Sequence, residues 1–487
     1  MGDGTDVAPG DAAGARRVTG ACSAPSAALY LRPDGQVAAC CGSWHLLGSV
    51  TGPDRRSLRE IWHGARAAQL RDAVAAHDFG LGCWECGQLV RAGRRSASLA
   101  ASFDRWGADA EYPAMIDFAM SNRCNLQCVM CNGGLSSAIR RHREHREPLP
   151  AAYDERFFDE LREFLPHLRR AQFKGGEPFL APENRRVWDD LLAIGARPEV
   201  CVTTNGTVWS KDVRRYVEDL AMDVIVSVDA TEPDVLRSIR VGVDPDRLWR
   251  NVDRLAEITR RTGATLDLHM CLMSTNWAQL APFLLEADRR ELGADLIWVD
   301  GPAQFNLLTM PLADLAAAHE QLRAAEPGLD GLRDDLRSIW DGAIERIGDA
   351  VSRRQGTAVA APVPATEDDP AEVRRRALTA AGRTPVVELE LVDDVIRTAT
   401  VPEWARWLDP QSWVGRGLEE TVTVISQSAG SSVRTEVESL PGGVHRARFT
   451  FDPGAEEVLL DGWYLPGREA GRSHLILVHV EDPAAPV

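Results

Sequence analysis

Six short apolar runs, separated by amphipathic segments, constrain this chain more than any other feature. They are "AMIDFAMS" (114–121), "RAQFKGGE" (170–177), "EVCVTTNG" (199–206), "DVIVSVDA" (223–230), "TLDLHMCLM" (265–273) and "DLIWVD" (295–300). Between them lie stretches of helical period such as "DERFFDELREFLPHL" and "DRLWRNVDRLAEITRRT". Parallel strands need a crossover, usually a helix, so this alternation predicts a parallel sheet covered by helices. Periodicity alone leaves open whether the sheet curls into a partial barrel.

Side chains alternate across a strand, so each run assigns its own faces. Ile116, Phe118 and Met120 oppose Asp117, Ala119 and Ser121; Val224, Val226 and Val228 oppose Ser227 and Asp229. Leu266, Leu268, Met270 and Leu272 oppose Asp267, His269 and Cys271. The apolar sets predict a helix-covered face. The polar sets predict a lumen holding Asp229, His269 and Cys271, with Lys174 and Asp300.

The 487 residues, 44% hydrophobic and 26% charged, are enough for about three domains. We read 1–20 as a disordered leader, 21–112 as a cysteine-bearing segment, 113–302 as the α/β region, 303–375 as a helical extension with linker, and 376–487 as a β-rich domain. Within 21–112, "ALYLRPDGQVAACC" reads as a hairpin turning at Pro33 and Gly35. A single helix is expected over "SLREIWHGARAAQLRDAVAAH", with Ser57 as N-cap and Leu58, Ile61 and Trp62 on one face. The net charge of −17 argues against an extended nucleic-acid footprint. Neither a membrane-length apolar run nor a signal-peptide centre is seen, so a cytoplasmic location is expected.

In a reducing compartment ten cysteines do not read as a disulfide framework, and the clustered ones read as metal ligands. "CNLQCVMCNGG" sets three of them at 124, 128 and 131. Zinc normally takes four protein ligands. Three thiolates on one loop suit an iron–sulfur cubane whose fourth iron stays open. The triplet, directly after "MIDFAMSNR", resembles the signature of the radical S-adenosylmethionine (SAM) superfamily. Over 113–302 the resemblance implies a partial (β/α)6 barrel in which Cys124, Cys128 and Cys131 hold a 4Fe-4S cluster that binds SAM. It further implies SAM contacts from Gly175, Gly176, Glu177 and Pro178 of "GGEP", from Thr204 and Asn205 of "TTNG", and from Ser227 and Asp229 of "SVDA". Met130 stands where relatives often carry an aromatic residue near the adenine.

Cys22, Cys40, Cys83 and Cys86 surround the hairpin and helix, with Cys41 as a spare. The pattern resembles the SPASM and twitch segments of radical SAM enzymes, which implies an auxiliary 4Fe-4S cluster. Four positions favour the single-cluster twitch form, placed before the barrel where most relatives place it after. Two thiol pairs would equally build a zinc ribbon.

Of the two remaining cysteines, Cys201 reads as a small buried residue and Cys271 as a candidate hydrogen-atom donor. "IRRHREHRE" (139–147) reads as a solvated helix face. The resemblance implies radical oxidation or crosslinking of a peptide or specialised metabolite, with epimerisation through Cys271 as the alternative. Lys174, His269 and Asp300 are candidate substrate contacts. The expected partner is an external electron donor of flavodoxin or ferredoxin type, with no membrane. A non-catalytic iron–sulfur or zinc protein is the alternative of another class.

Overall fold

A computed structural model of the chain describes residues 21–91, 93–106 and 111–357, together with the backbone of six strands between 385 and 479. The expected leader (1–20), the linker around 360–372 and the run "TVTVISQS" (421–428) lie outside the described residues. Two compact units are present, Met1–His269 with Arg290–Asp295, and Met270–Arg289 with Leu296–Val487.

The six expected strands form as β4 (Met115–Phe118), β5 (Arg170–Phe173), β6 (Glu199–Thr204), β7 (Asp223–Ser227), β8 (Leu266–Leu272) and β9 (Gly293–Trp298). They stand in sequence order in one sheet, and β4 to β8 pair parallel. Ahead of them come β1 (Ala28–Leu31), β2 (Gln36–Ala38) and β3 (Leu46–Ser49). The first two make the expected hairpin, and Gly35 takes the left-handed φ of 79° at its turn. β1 also pairs parallel with β4, Tyr30 opposite Asp117, so the cysteine-bearing segment extends the barrel sheet by three strands. The third of these, β3, was not anticipated.

The helices of the cysteine-bearing segment are α1 (Ala24–Ala27), α2 (Leu58–Trp62), α3 (Ala65–Ala75) and α4 (Trp84–Arg91). The single helix expected from Ser57 is therefore two. Ser57 does cap α2, reciprocally with Glu60, and Leu58, Ile61 and Trp62 are buried. The break falls at Gly64, where a Cβ would stand 2.6 Å from the carbonyl oxygen of Glu60. Glycine's missing side chain allows that close turn.

α5 (Ser137–His142) follows the cysteine triplet, and the crossovers are α6 (Glu155–Phe164), α7 (Pro182–Ile194), α8 (Lys211–Asp219), α9 (Pro233–Ile239), α10 (Pro245–Thr262) and α11 (Leu280–Arg289). Asp154, Ser210 and Asp244 each accept a backbone N–H at the start of α6, α8 and α10. The helix-facing side of the sheet is identified by its aromatics. Phe118 stacks on Phe173 at 4.7 Å, Phe173 meets Trp188 of α7 edge-on at 5.3 Å, and Trp188 meets Tyr216 of α8 at 5.0 Å. Positions 117 and 174 therefore point to the opposite, luminal face.

In the second unit α12 (Leu312–Ala325) and α13 (Asp334–Thr357) pack through Leu315, Leu322, Leu336 and Trp340. The C-terminal strands are β10 (Pro385–Val392), β11 (Val395–Thr400), β12 (Val433–Ser439), β13 (His445–Phe451), β14 (Val458–Pro466) and β15 (Arg472–His479). They form an antiparallel sheet ordered β11-β10-β15-β14-β13-β12, with β11 and β12 beyond the runs read from sequence. No helix among the described residues is long and apolar enough to cross a membrane.

Phe173 lies fully buried between Phe118 and Trp188. Phe173→Ala is expected to destabilise the first unit by about 3–5 kcal/mol, read as a lower urea midpoint by tryptophan fluorescence.

Candidate active site

The loop carrying Cys124, Cys128 and Cys131 is held along both margins. On one side, Gln127 and Val129 donate to the carbonyls of Val241 and Ile239, both at 2.9 Å. On the other, the Ser137 hydroxyl meets the Cys124 backbone at 3.2 Å, and Ser136 caps α5 while its hydroxyl donates to Leu126 O at 2.7 Å. Arg143 donates to the carbonyls of Cys128 and Cys131, so one arginine of the expected solvated helix face turns back onto the cluster loop.

Glu177 is the junction of the site. Its buried carboxylate accepts from Asn205 N and Thr204 Oγ1, both at 2.8 Å, and from Phe179 N at 3.2 Å. Asn205 continues the chain, with Nδ2 at 3.0 Å from Asn125 Oδ1 and 3.8 Å from Cys124 Sγ. Thr207 closes it, donating to Asn205 Oδ1 at 2.7 Å and accepting from Asn125 at 2.8 Å. Gly175 takes a φ of 110°, and a Cβ there would stand 2.8 Å from the Ser121 carbonyl oxygen, so "GGEP" lies against the chain entering the triplet loop. The expected SAM contacts from "GGEP" and "TTNG" are thus gathered beside Cys124.

At the β7 end, Ser227 is half-buried and Asp229 is fully buried. The Asp229 carboxylate is paired with Arg240 Nε at 2.8 Å, and Arg240 Nη1 lies 4.0 Å from Cys128 Sγ. Met130 is half-buried within the triplet loop. Sequence reasoning missed Arg240, Asn125 and Thr207, because nothing local distinguishes them from other polar loop residues.

Lys174 pairs with Asp117 at 2.5 Å on the luminal face. Along β8, Asp267, His269 and Cys271 alternate as half-buried positions between buried Leu266, Leu268, Met270 and Leu272. Burial lowers the His269 pKa, with Asp295 and Asp267 pulling it back up. Cys271 and Asp300 belong to the second unit; Asp300 is exposed beyond β9. Cys201 is buried as expected, and lies in register between Gln172 and Asp223.

Cys22, Cys40, Cys83 and Cys86 line one small, almost wholly apolar cavity with Pro25, Val74, Phe79, Leu99 and Phe103. Cys41 does not line it and is exposed. Burial pushes the Cys22 thiol up to about 12 and the Cys40 thiol well above its ordinary value. Cys131 is likewise pushed up to about 12. Thiols so placed become thiolates only against a compensating positive centre, and soft sulfur donors in apolar walls suit iron–sulfur clusters. The four thiols line the same cavity, a set of soft donors of the kind that holds iron–sulfur clusters.

Comparison with known families bears directly on these two thiol sets. Residues 118–285 match the Radical SAM superfamily model, and residues 22–87 match SPASM, an iron–sulfur cluster-binding domain. The chain thus carries a Radical SAM domain and a SPASM-type segment. The two matches imply a 4Fe-4S cluster, SAM and auxiliary iron–sulfur as cofactors. Among curated relatives, the chain is 26% identical over 239 residues to GTP 3',8-cyclase of Caulobacter vibrioides, covering 46% of this chain and 58% of the relative. It is 23% identical over 155 residues to GTP 3',8-cyclase of Clostridium botulinum, covering 32% and 46%. The chain spans about half the length of the curated relatives it matches. Among solved structures, native anSMEcpe with bound AdoMet aligns at 16% identity and a TM-score of 0.33, covering 45% of this chain and 62% of that one. Streptococcus suis SuiB bound to precursor peptide SuiA aligns at 14% and 0.33, covering 58% and 55%.

Burial raises Glu177 to about 7, with its three donors pulling the other way. The folded chain then keeps this proton to a higher pH than the unfolded chain, whose carboxyl releases it near 4.5. Its contribution is therefore fully present below about 4.5 and lost as pH rises through about 7. In urea unfolding of wild type and Glu177→Gln between pH 4.5 and 7.5, the stability loss with rising pH is expected to be larger in the wild type.

Proposed function

We propose that this enzyme takes a hydrogen atom from a peptide or specialised metabolite, with net oxidation or crosslinking as the outcome. When bound, the cluster and SAM supply a 5′-deoxyadenosyl radical by one-electron cleavage, and the auxiliary cluster supplies an acceptor for the electron the substrate loses. The reading rests on one observation: a loop with three thiols and a cavity ringed by four others occur in the same unit. Cys124, Cys128 and Cys131 hold the first cluster, and Cys22, Cys40, Cys83 and Cys86 the auxiliary one. Residues 175–178 present the "GGEP" backbone to the SAM amino group. Thr204, Asn205, Ser227 and Asp229 order the remaining SAM-facing wall, and Met130 packs on the adenine. Lys174, His269 and Asp300 are the candidate substrate contacts. An external donor of flavodoxin or ferredoxin type delivers the electron.

Reconstituted protein is expected to hold about eight irons, about four per cluster. Cys124→Ala should lose about four of them and all 5′-deoxyadenosine formation. The double variant Cys22→Ala/Cys83→Ala should lose about four while retaining SAM cleavage. Zinc in place of iron, or iron-loaded protein that forms no 5′-deoxyadenosine under reduction, would overturn the reading. Substrate is sought by deuterium transfer into 5′-deoxyadenosine, with GTP in the first panel because of the curated relatives.

Epimerisation is kept as a second reading on the placement of Cys271, half-buried on the same β8 face as His269. In that branch its S–H returns a hydrogen atom to the substrate radical, and one electron from the external donor with one proton restores the resulting thiyl radical to the thiol. Cys271→Ala should then stop epimer formation while SAM cleavage continues; unchanged product would remove the branch.

A further inference from the structure

The segment after the cluster loop holds a charge arrangement that the chemistry above does not use. In a chain of net charge −17, residues 139–147 carry Arg140, Arg141, Arg143 and Arg146 against Glu144 and Glu147. Glu144 is turned inward, its Oε1 accepting from Gly133 N at 2.6 Å and its Oε2 enclosed by protein. Glu147 stays exposed, as do Arg141, Arg143 and Arg146. Arg141 and Arg143 have no carboxylate partner among the described residues, and Arg146 reaches Glu144 only at 3.9 Å. These cations belong to the thiol loop's own surroundings, since Arg143 donates to Cys128 O at 3.3 Å and to Cys131 O. Two exposed apolar side chains flank the same loop. Leu135, 37% exposed, donates its N–H to Asn132 O at 3.1 Å; Val241, 41% exposed, accepts at its carbonyl from Gln127 N at 2.9 Å on the other margin.

We infer that the arginines of 140–146, with Leu135 and Val241, form the docking surface for the one-electron carrier, an acidic protein of flavodoxin or ferredoxin type. Charge selects the partner. An acidic protein is repelled by a chain of this net charge and attracted only where the sign is locally reversed, which steers the encounter to one place. Position selects the role. Electron transfer falls steeply with distance, so a carrier has to seat where the thiol loop lies nearest solvent, and Cys124, Cys128 and Cys131 are each only half-buried. A few aliphatic contacts among charged ones suit the small interface of a transient redox pair, and four arginines are too few for an extended nucleic-acid footprint. The step itself is simple: the carrier is oxidised by one electron, the cluster accepts it, and no bond or proton changes there. The inference rests on the radical chemistry proposed above, which creates the need for a carrier.

The test uses the anaerobically reconstituted full chain, titrated by calorimetry with oxidised flavodoxin and with oxidised ferredoxin at about 50 and about 300 mM salt. 5′-Deoxyadenosine formation is then followed on the same samples, once with the reduced carrier and once with dithionite, a small reductant that needs no docking face. Arg141→Glu and Arg146→Glu are compared with Arg197→Glu, the same charge change at an exposed residue ahead of β6, at the strand ends opposite the triplet loop. The wild type is expected to bind one of the two carriers, and more weakly at the higher salt. Arg141→Glu should weaken that binding about fivefold or more and raise the KM for the carrier, with iron content and the dithionite-driven rate unchanged. Arg197→Glu should match the wild type. Neither carrier binding, binding indifferent to salt, Arg141→Glu and Arg146→Glu both binding like the wild type, or Arg197→Glu weakening binding as much would each overturn the surface. The salt comparison needs no variant, so misfolding of either leaves the inference falsifiable. Iron-loaded protein that forms no 5′-deoxyadenosine with dithionite would count against the proposed chemistry, while the binding data still decide the surface.

Discussion

The Glu177 carboxylate joins more of this structure than any other group. One buried side chain accepts donors from Phe179, Thr204 and Asn205, fastening the end of β5 to the end of β6. Asn205 carries the connection to Asn125 and Cys124. The triplet loop is thus tied to the second and third barrel strands through one network. A typical hydrogen bond contributes about 0.5–1.5 kcal/mol net, and the loss of one here leaves the remaining buried groups unsatisfied. That asymmetry gives the network its rigidity.

A second tie holds the far side of the loop. The segment 239–241 pairs its carbonyls with Gln127 and Val129, and Arg240 lies between the Asp229 carboxylate and the Cys128 sulfur. Asp229 and Arg240 are almost wholly buried, where an ion pair is retained less for net stability than for the single geometry it imposes. A loop of three thiolates can hold a cluster in one orientation only if its backbone is fixed from both sides, and here β6 and the β7 crossover fix it.

The SPASM-type segment is continuous with the barrel. Its hairpin strand β1 pairs with β4, so the sheet that displays "GGEP" also carries Tyr30 and leads, through β2, to Cys40 and Cys41. Cys40 turns into the apolar cavity with Cys22, Cys83 and Cys86, while Cys41 stays exposed. Neighbouring residues therefore serve different environments, a consequence of strand-end geometry.

Much of this was legible in the chain itself. Two-residue alternation marked the barrel strands and separated Asp117, Asp267 and His269 from their apolar neighbours, because a strand has only two faces. The hairpin at Pro33–Gly35, the cap at Ser57 and the spacing of the two thiol sets were equally local. Nonlocal pairings were not legible. The docking of β1 on β4 and the reach of Arg240 to Cys128 each depend on segments far apart in sequence. Local pattern determined which residues are buried and which thiols cluster, since periodicity and spacing are properties of a short stretch. Tertiary structure alone decided which polar groups meet, because a buried charge takes its partner from whatever the folded chain brings within hydrogen-bonding distance.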